Sequence, residues 1–274
     1  MKPLLVFSAF FTASVFLLSL AQERPVPPLS TQSESEPFKP ANKNAFRPGE
    51  TLTYRLHYGF VDAGRAVLEV KEEDKKFLNR SSYHVVGIGT STGAFDWFFK
   101  VRDRYESYVD RDALVPFVFL RNVDEGGYKI KQTYVYNHHK KEVITEGKKY
   151  MVPHGVQDMI SAFYYARNLD FSDAKEGQIY SIPSFVDEEI WNLKIKFVGR
   201  ENLKTDLGTF RCLKFRPIIQ KGRVFKKEED LNVWISDDGN HIPIRAQAEI
   251  LVGSIKMDLL EYKGLANPVA LVKR

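Results

Sequence analysis

Thr51-Leu52-Thr53-Tyr54-Arg55-Leu56-His57-Tyr58 alternates apolar and polar side chains with a period of two. Successive side chains of an extended chain point to opposite faces. Leu52, Tyr54, Leu56 and Tyr58 therefore share one face of a strand, and the residues between them face the other way. The alternation recurs outward from this stretch. Ala66, Leu68 and Val70 follow a turn at Asp62-Ala63-Gly64, and Tyr83, Val85 and Gly87 begin a third strand. Residues 104–109 and 117–123 read as a pair. Glu125-Gly126-Gly127 marks a hairpin, because glycine accepts positive φ without steric cost. Tyr128, Ile130, Tyr134 and Tyr136 continue beyond it.

Towards the C-terminus, Trp191, Leu193, Ile195 and Phe197 alternate cleanly, as do Leu231, Val233 and Ile235. Phe210 and Cys212 alternate up to a switch of face at Leu213 and Phe215. Ile244, Ala246, Ala248 and Ile250 then match Ile255, Met257 and Leu259 across a Gly253-Ser254 turn. The pattern predicts a mainly β fold of about 11–12 antiparallel strands. A sheet of that length must close, curl or split to manage its edges. The expected architecture is thus a curled antiparallel sheet, a half-barrel or open barrel.

One segment breaks the alternation. Across residues 153–168, Val156, Met159, Ile160, Phe163 and Arg167 recur at helical spacing. Pro153 suits a helix start and Asp158 is favourable in a first turn. One central amphipathic helix is predicted here, packed on the concave side of the sheet. A shorter turn of helix is expected at residues 94–99.

The two ends differ from the β-rich body. Met1-Lys2 is basic, residues 4–20 carry no charge, and Ser19-Leu20-Ala21 places small residues ahead of the polar Gln22-Glu23-Arg24-Pro25. This reads as a cleaved signal peptide over residues 1–21, so the mature protein is expected in the periplasm or outside the cell. Residues 22–48, rich in Pro, Ser, Gln, Glu and Lys, read as a disordered linker. Residues 49–265 form a single β-rich domain and residues 266–274 a frayed tail. The residue directly after the cleavage site is Gln22 rather than cysteine, which argues against a lipid anchor. No later segment approaches the ~20 apolar residues of a membrane span.

Charge and cysteine content narrow the chemistry. Forty Lys and Arg against 35 Asp and Glu give a net charge of +5. Both signs are interleaved, as in Lys71-Glu72-Glu73-Asp74-Lys75-Lys76, so no nucleic-acid partner is predicted. A mild attraction to an anionic membrane surface is the better reading of the excess. The 220–227 stretch is the most basic run and reads as a hairpin tip, solvated or in contact with anionic head groups. Cys212 is the single cysteine. It excludes an internal disulfide and fits a small buried core residue.

No catalytic or metal motif is complete. His138-His139 is the sole histidine pair; neighbours on a strand face opposite ways, and a solvent-exposed turn is expected. No His-x-x-x-His or Cys-x-x-Cys spacing supports a zinc site. Asp237-Asp238-Gly239-Asn240 lacks the remaining ligands of a calcium loop and reads as a turn. The glycines of residues 87–93 come without a P-loop lysine, and no Gly-x-Ser-x-Gly elbow occurs. No cofactor is predicted.

Asp96-Trp97-Phe98-Phe99-Lys100-Val101-Arg102-Asp103-Arg104-Tyr105-Glu106 is the densest aromatic-and-charged stretch. As a pocket rim, Trp97, Phe98 and Phe99 supply apolar walls, and Arg102 and Arg104 supply charge. Phe163 and Tyr164 on the helix complete the candidate ligand-binding set, although core packing explains these aromatics equally well.

Several stretches also resemble a known family. They are Trp97-Phe98-Phe99-Lys100-Val101-Arg102-Asp103-Arg104-Tyr105-Glu106-Ser107, Glu125-Gly126-Gly127-Tyr128-Lys129, Gln157-Asp158-Met159-Ile160-Ser161-Ala162-Phe163-Tyr164-Tyr165-Ala166-Arg167, Gly208-Thr209-Phe210 and Trp234-Ile235-Ser236-Asp237-Asp238. They resemble a family of secreted bacterial proteins known only as a domain of unknown function. That resemblance brings no activity and no catalytic residues. More loosely, the strand-rich pattern with one central helix is similar to periplasmic lipoprotein carriers, in which helices cover an apolar cavity in a half-barrel.

Three functions follow as expectations. The first is a non-enzymatic periplasmic binding protein for an apolar or amphipathic ligand, a lipid or a lipid-bearing protein. The second is an envelope-assembly interaction module acting through a surface patch. The third is a hydrolase of unfamiliar type, with Asp103, Glu106, Asp158 and His154 as candidates.

Overall fold

The computed structural model describes residues 38–41, 44–218, 231–249 and 254–272. Residues 1–21, read from the sequence as a signal peptide, most of the 22–48 arm, the 220–227 basic run, and Ile250 and Gly253 of the expected strand and turn lie outside the described residues. The first half of the sheet is built from β1 (Thr51–Tyr58), β2 (Val61–Val70), β3 (Lys76–Phe77), β4 (Arg80–Ser91), β5 (Arg102–Asp110), β6 (Pro116–Glu125), β7 (Tyr128–Asn137), β8 (Glu142–Thr145) and β9 (Lys148–Met151). The second half comprises β10 (Ile179–Val186), β11 (Glu189–Thr205), β12 (Gly208–Pro217), β13 (Leu231–Ser236), β14 (Pro243–Glu249) and β15 (Ser254–Lys263). Two helices interrupt them, α1 (Gly93–Phe98) and α2 (Met159–Ala166).

Among the described residues, all 15 strands lie in one antiparallel sheet, in the order β10-β11-β12-β13-β14-β15-β1-β2-β4-β5-β6-β7-β8-β9, with β3 paired to β4 off this path. The fold is mainly β and unclosed, as the alternation predicts. The count exceeds the expected 11–12 because β3, β8 and β9 have two to four residues, too few to show a period. β10 carries Pro183, which reads against a strand.

The two terminal strands, β9 and β10, do not pair with each other through the backbone. Side chains bridge the gap. The Phe185 ring packs against Tyr134 and Tyr150, each with centroids 5.3 Å apart. The Tyr150 hydroxyl donates to Glu188, and Lys148 Nζ lies 3.2 Å from the same carboxylate.

Helix α2 is shorter than residues 153–168. Gly155, at φ 68°, turns the chain before the helix, and Gln157 bridges β10 at Ser184. The helix then starts at a capping box. Asp158 Oδ1 accepts the N–H groups of Ile160 and Ser161, both at 2.8 Å, and Ser161 Oγ accepts the Asp158 N–H at 2.8 Å. Such a cap satisfies donors that have no intrahelical partner.

The main core is strongly aromatic, with Tyr54, Tyr105, Phe119, Tyr134, Tyr164, Phe185 and Phe210 fully buried. Phe171, Phe197, Leu213 and Phe215 form a second cluster. Contrary to a solvated linker, the chain before β1 joins this packing. Phe46 is buried edge-on to Tyr83 and Tyr164, at 5.0 and 4.7 Å, and Phe38 packs on Phe117. A large aromatic removes too much apolar surface from water to stay outside an available core. The tail is likewise docked, with Ala270 buried and Leu271 bridged to Phe210.

His138 is a further correction. It is buried, and its Nε2–H donates to the Pro116 carbonyl at 2.6 Å. Burial pushes its pKa down, so the ring is held neutral. His139 stays exposed, with Phe38 packed against both rings. Cys212 is buried, and burial pushes its thiol pKa up to about 12.

Candidate functional site

Helix α2 does not fill the hollow it covers. Between its underside and the β10-to-β2 part of the sheet lies a cavity of about 210 Å³. Met159, Ile160, Ala162 and Phe163 form the roof. β1 and β2 contribute Tyr54, Ala66 and Leu68. Val186, Trp191, Leu193, Pro217, Leu231 and Val233 come from β10–β13, with Pro243, Ala246 and Met257 from β14 and β15.

The space has a local cause. Ala66, Ala162, Ala246 and Ser184 are small and lie among the lining residues, where their short side chains leave space unfilled. The lining carries no charged side chain. Ser184 Oγ donates to the Ile182 carbonyl at 3.3 Å. The Tyr54 hydroxyl is buried without a hydrogen-bond partner, and burial drives its pKa far above the ordinary phenol range. Such a lining holds a ligand by excluding water from it, at roughly 0.8 kcal/mol for each CH₂ group buried. Its side-chain polar groups are the Ser184 and Tyr54 hydroxyls and the Trp191 indole N–H.

The residues singled out from the sequence are dispersed. Phe163 lies on the cavity roof. Tyr164 turns away from it into the core, against Phe46 and with the Arg167 guanidinium 5.1 Å from its ring. Trp97 and Phe98 are exposed on α1, and the Phe99 ring covers Gly126, where a Cβ would stand 2.2 Å from it. Arg102 makes a two-pronged pair with Asp96, at 2.7 and 3.0 Å. Arg104 pairs with Glu106 at 2.7 Å on the outer face.

Register is the missing information. Alternation says which side chains point inward but not which of them meet a void, because that depends on how far apart the strands curl. The small residues Ala66 and Ala246 at inward strand positions were the available signal.

The four hydrolase candidates do not converge. Asp158 is fully buried as the helix cap, where Ser107 Oγ donates to it at 2.6 Å. Burial raises its pKa to about 6 against the pull of these hydrogen bonds. Asp103 is buried beside Glu125; burial raises both carboxyls, and Asp103 adds to the rise of Glu125. Glu106 faces outward to Arg104 and His84, and His154 is exposed. No group of three or more His, Cys, Asp or Glu able to hold a metal occurs among the described residues.

A family profile described as a protein of unknown function, DUF3108, matches residues 53–260. The chain belongs to this family. The match runs from β1 into β15 and so takes in the whole cavity. Among solved structures, a β-barrel-like protein of the DUF1849 family from Brucella abortus aligns over 80% of this chain and 99% of its own. It has a TM-score of 0.51 at 11% identity, which establishes a shared fold. A DUF1089 family protein from Pseudomonas aeruginosa aligns over 65% of this chain and 87% of its own, with a TM-score of 0.37 at 10% identity. The lipoprotein LppX of Mycobacterium tuberculosis covers 81% of this chain and 89% of its own at 12% identity, but a TM-score of 0.16 gives it no weight. No curated protein matches the chain. No helix among the described residues is long and apolar enough to cross a membrane.

Proposed function

We propose that this is an exported, non-enzymatic binding protein of the cell envelope that shelters an acyl chain or similar apolar group. The observation that carries this reading is the uncharged cavity beneath α2. Well-packed domains fill such space, because an unfilled apolar void forfeits contacts on every wall. A half-open, uncharged hollow lined by apolar side chains is therefore read as a feature with a use. Its volume lies below that of drug-sized sites, so it suits one slender chain rather than a whole lipid. Export follows from the reading of residues 1–21.

The test is native mass spectrometry of protein purified from its own envelope fraction without detergent, followed by organic extraction. A mass excess that extracts as a fatty acid or lipid is the expected result. An apo mass, with no subsequent uptake of a fluorescent fatty acid, overturns the reading.

A further inference from the structure

The hairpin tips of β1–β2, β4–β5 and β6–β7 are neighbours at one end of the sheet, since these strands run in the order β1-β2-β4-β5-β6-β7. Backbone contacts tie them into a row. Thr92 N–H donates to the Ala63 carbonyl at 3.1 Å, Gly126 N–H donates to the Lys100 carbonyl at 2.8 Å, and Val101 bridges Glu125. Phe99 closes over Gly126 and fixes α1 to the third tip.

This row gathers three of the most exposed large apolar side chains of the described residues. Phe60 is 102% exposed, Trp97 82% and Phe98 75%, with Tyr58, Val61 and Tyr128 beside them. The Trp97 and Phe98 rings meet edge-on at 4.7 Å and act as one wedge. Every exposed or half-exposed acid on the three tips is matched. Asp62 pairs with Arg55, Asp96 with Arg102 and Asp124 with Lys129, which leaves exposed Lys100 as a surplus cation.

Rings that are apolar in body and amphipathic in Trp and Tyr, set beside a net positive charge, are the composition of a membrane–water interface. A protein partner would match this surface with apolar area of its own. It would give no reason for the acids to be neutralised and a lysine left over. The cavity wall reaches the same end of the sheet, at Val186, Pro217 and Leu231 on the adjoining ends of β10, β12 and β13.

We propose that this row docks the protein on a bilayer bearing anionic head groups. Phe60, Trp97 and Phe98 enter the head-group boundary, and Lys100 meets the phosphates. Docking stands on the surface alone and holds whether or not the cavity carries a lipid.

The experiment is sedimentation of the mature chain with vesicles of phosphatidylethanolamine and phosphatidylglycerol, and with vesicles of phosphatidylcholine alone. The expected result is binding to the anionic vesicles that weakens with salt. The triple variant Phe60→Ser, Trp97→Ser, Phe98→Ser should bind at least about tenfold more weakly. It should keep its melting temperature, because the replaced side chains are exposed, and its uptake of fluorescent fatty acid in solution. Lys100→Glu should lose the preference for anionic vesicles. Unchanged binding by the triple variant overturns the proposal. So does an absence of vesicle binding, including the case in which the same variant abolishes self-association seen by ultracentrifugation. Loss of fatty-acid uptake in the wild type would overturn the cavity reading and leave docking standing.

Discussion

Arg167 holds three parts of the chain together from the C-terminal end of α2. Its two Nη atoms donate to Glu50 Oε1 and Oε2 at 2.6 and 2.8 Å, Nε donates to the Asn240 carbonyl at 2.9 Å, and Nη2 also reaches the Ala45 carbonyl at 3.0 Å. Both charged partners are buried. Removing one member of such a pair leaves a buried charge uncompensated, at a cost of about 3–5 kcal/mol, whereas removing both costs far less. Arg167→Met is expected to destabilise by that amount in urea unfolding. Arg167→Met with Glu50→Gln should recover a large part of it, and equal loss in the single and double variants would show the pair is not the cause. The sequence placed Arg167 on the helical stripe but gave no hint of Glu50. The two lie 117 positions apart, and a partner at that separation is chosen by topology rather than by local pattern.

At the scale of elements, the strands were legible where the alternation ran long. β1, β11 and β15 are all near their expected places, while strands of two to four residues left no periodic trace. The helix was legible as a stripe, but its start was misread, because the Asp158–Ser161 box outranks Pro153 as a start signal. Acid–base behaviour also belongs to this scale. Asp158 caps α2 with a pKa raised to about 6 from 3.8. Glu125, at the end of β6, is raised from 4.5 to about 8 by burial and by the Asp103 carboxylate. In both cases the folded chain holds its proton more tightly than the unfolded chain. The contribution to stability is therefore complete below pH 4 and is lost as pH rises through 6 for Asp158 and 8 for Glu125. Each group gives a slope of at most about 1.4 kcal/mol per pH unit. Denaturant midpoints should fall between pH 5 and 8, and Glu125→Gln should flatten the arm from pH 6 to 8. A wild-type curve that rises over that interval would contradict the assignment.

For the whole molecule, the curl could be anticipated but the hollow could not. A sheet of this many strands has to bend back towards itself. Here the bend stops one pairing short of closure, and Phe185 and Glu188 join the edges through side chains. The hollow under α2 is lined in part by the small residues Ala66, Ala162, Ala246 and Ser184. Ala66 and Ala246 were visible as inward strand positions, and neither announced a cavity by itself. Ala246 offers a direct trial of whether the space is used. Leucine at this position projects about three extra carbons into the hollow. In a tightly packed core such an insertion costs about 1–3 kcal/mol through strained rotamers and shifted backbone. In a real void it instead gains apolar contacts at roughly 0.8 kcal/mol per CH₂. Ala246→Leu is therefore expected to leave the melting temperature unchanged or higher while weakening fluorescent fatty-acid binding about tenfold, a difference of about 1.4 kcal/mol. Destabilisation with binding intact would mean that the ligand sits elsewhere and that the hollow closes in solution.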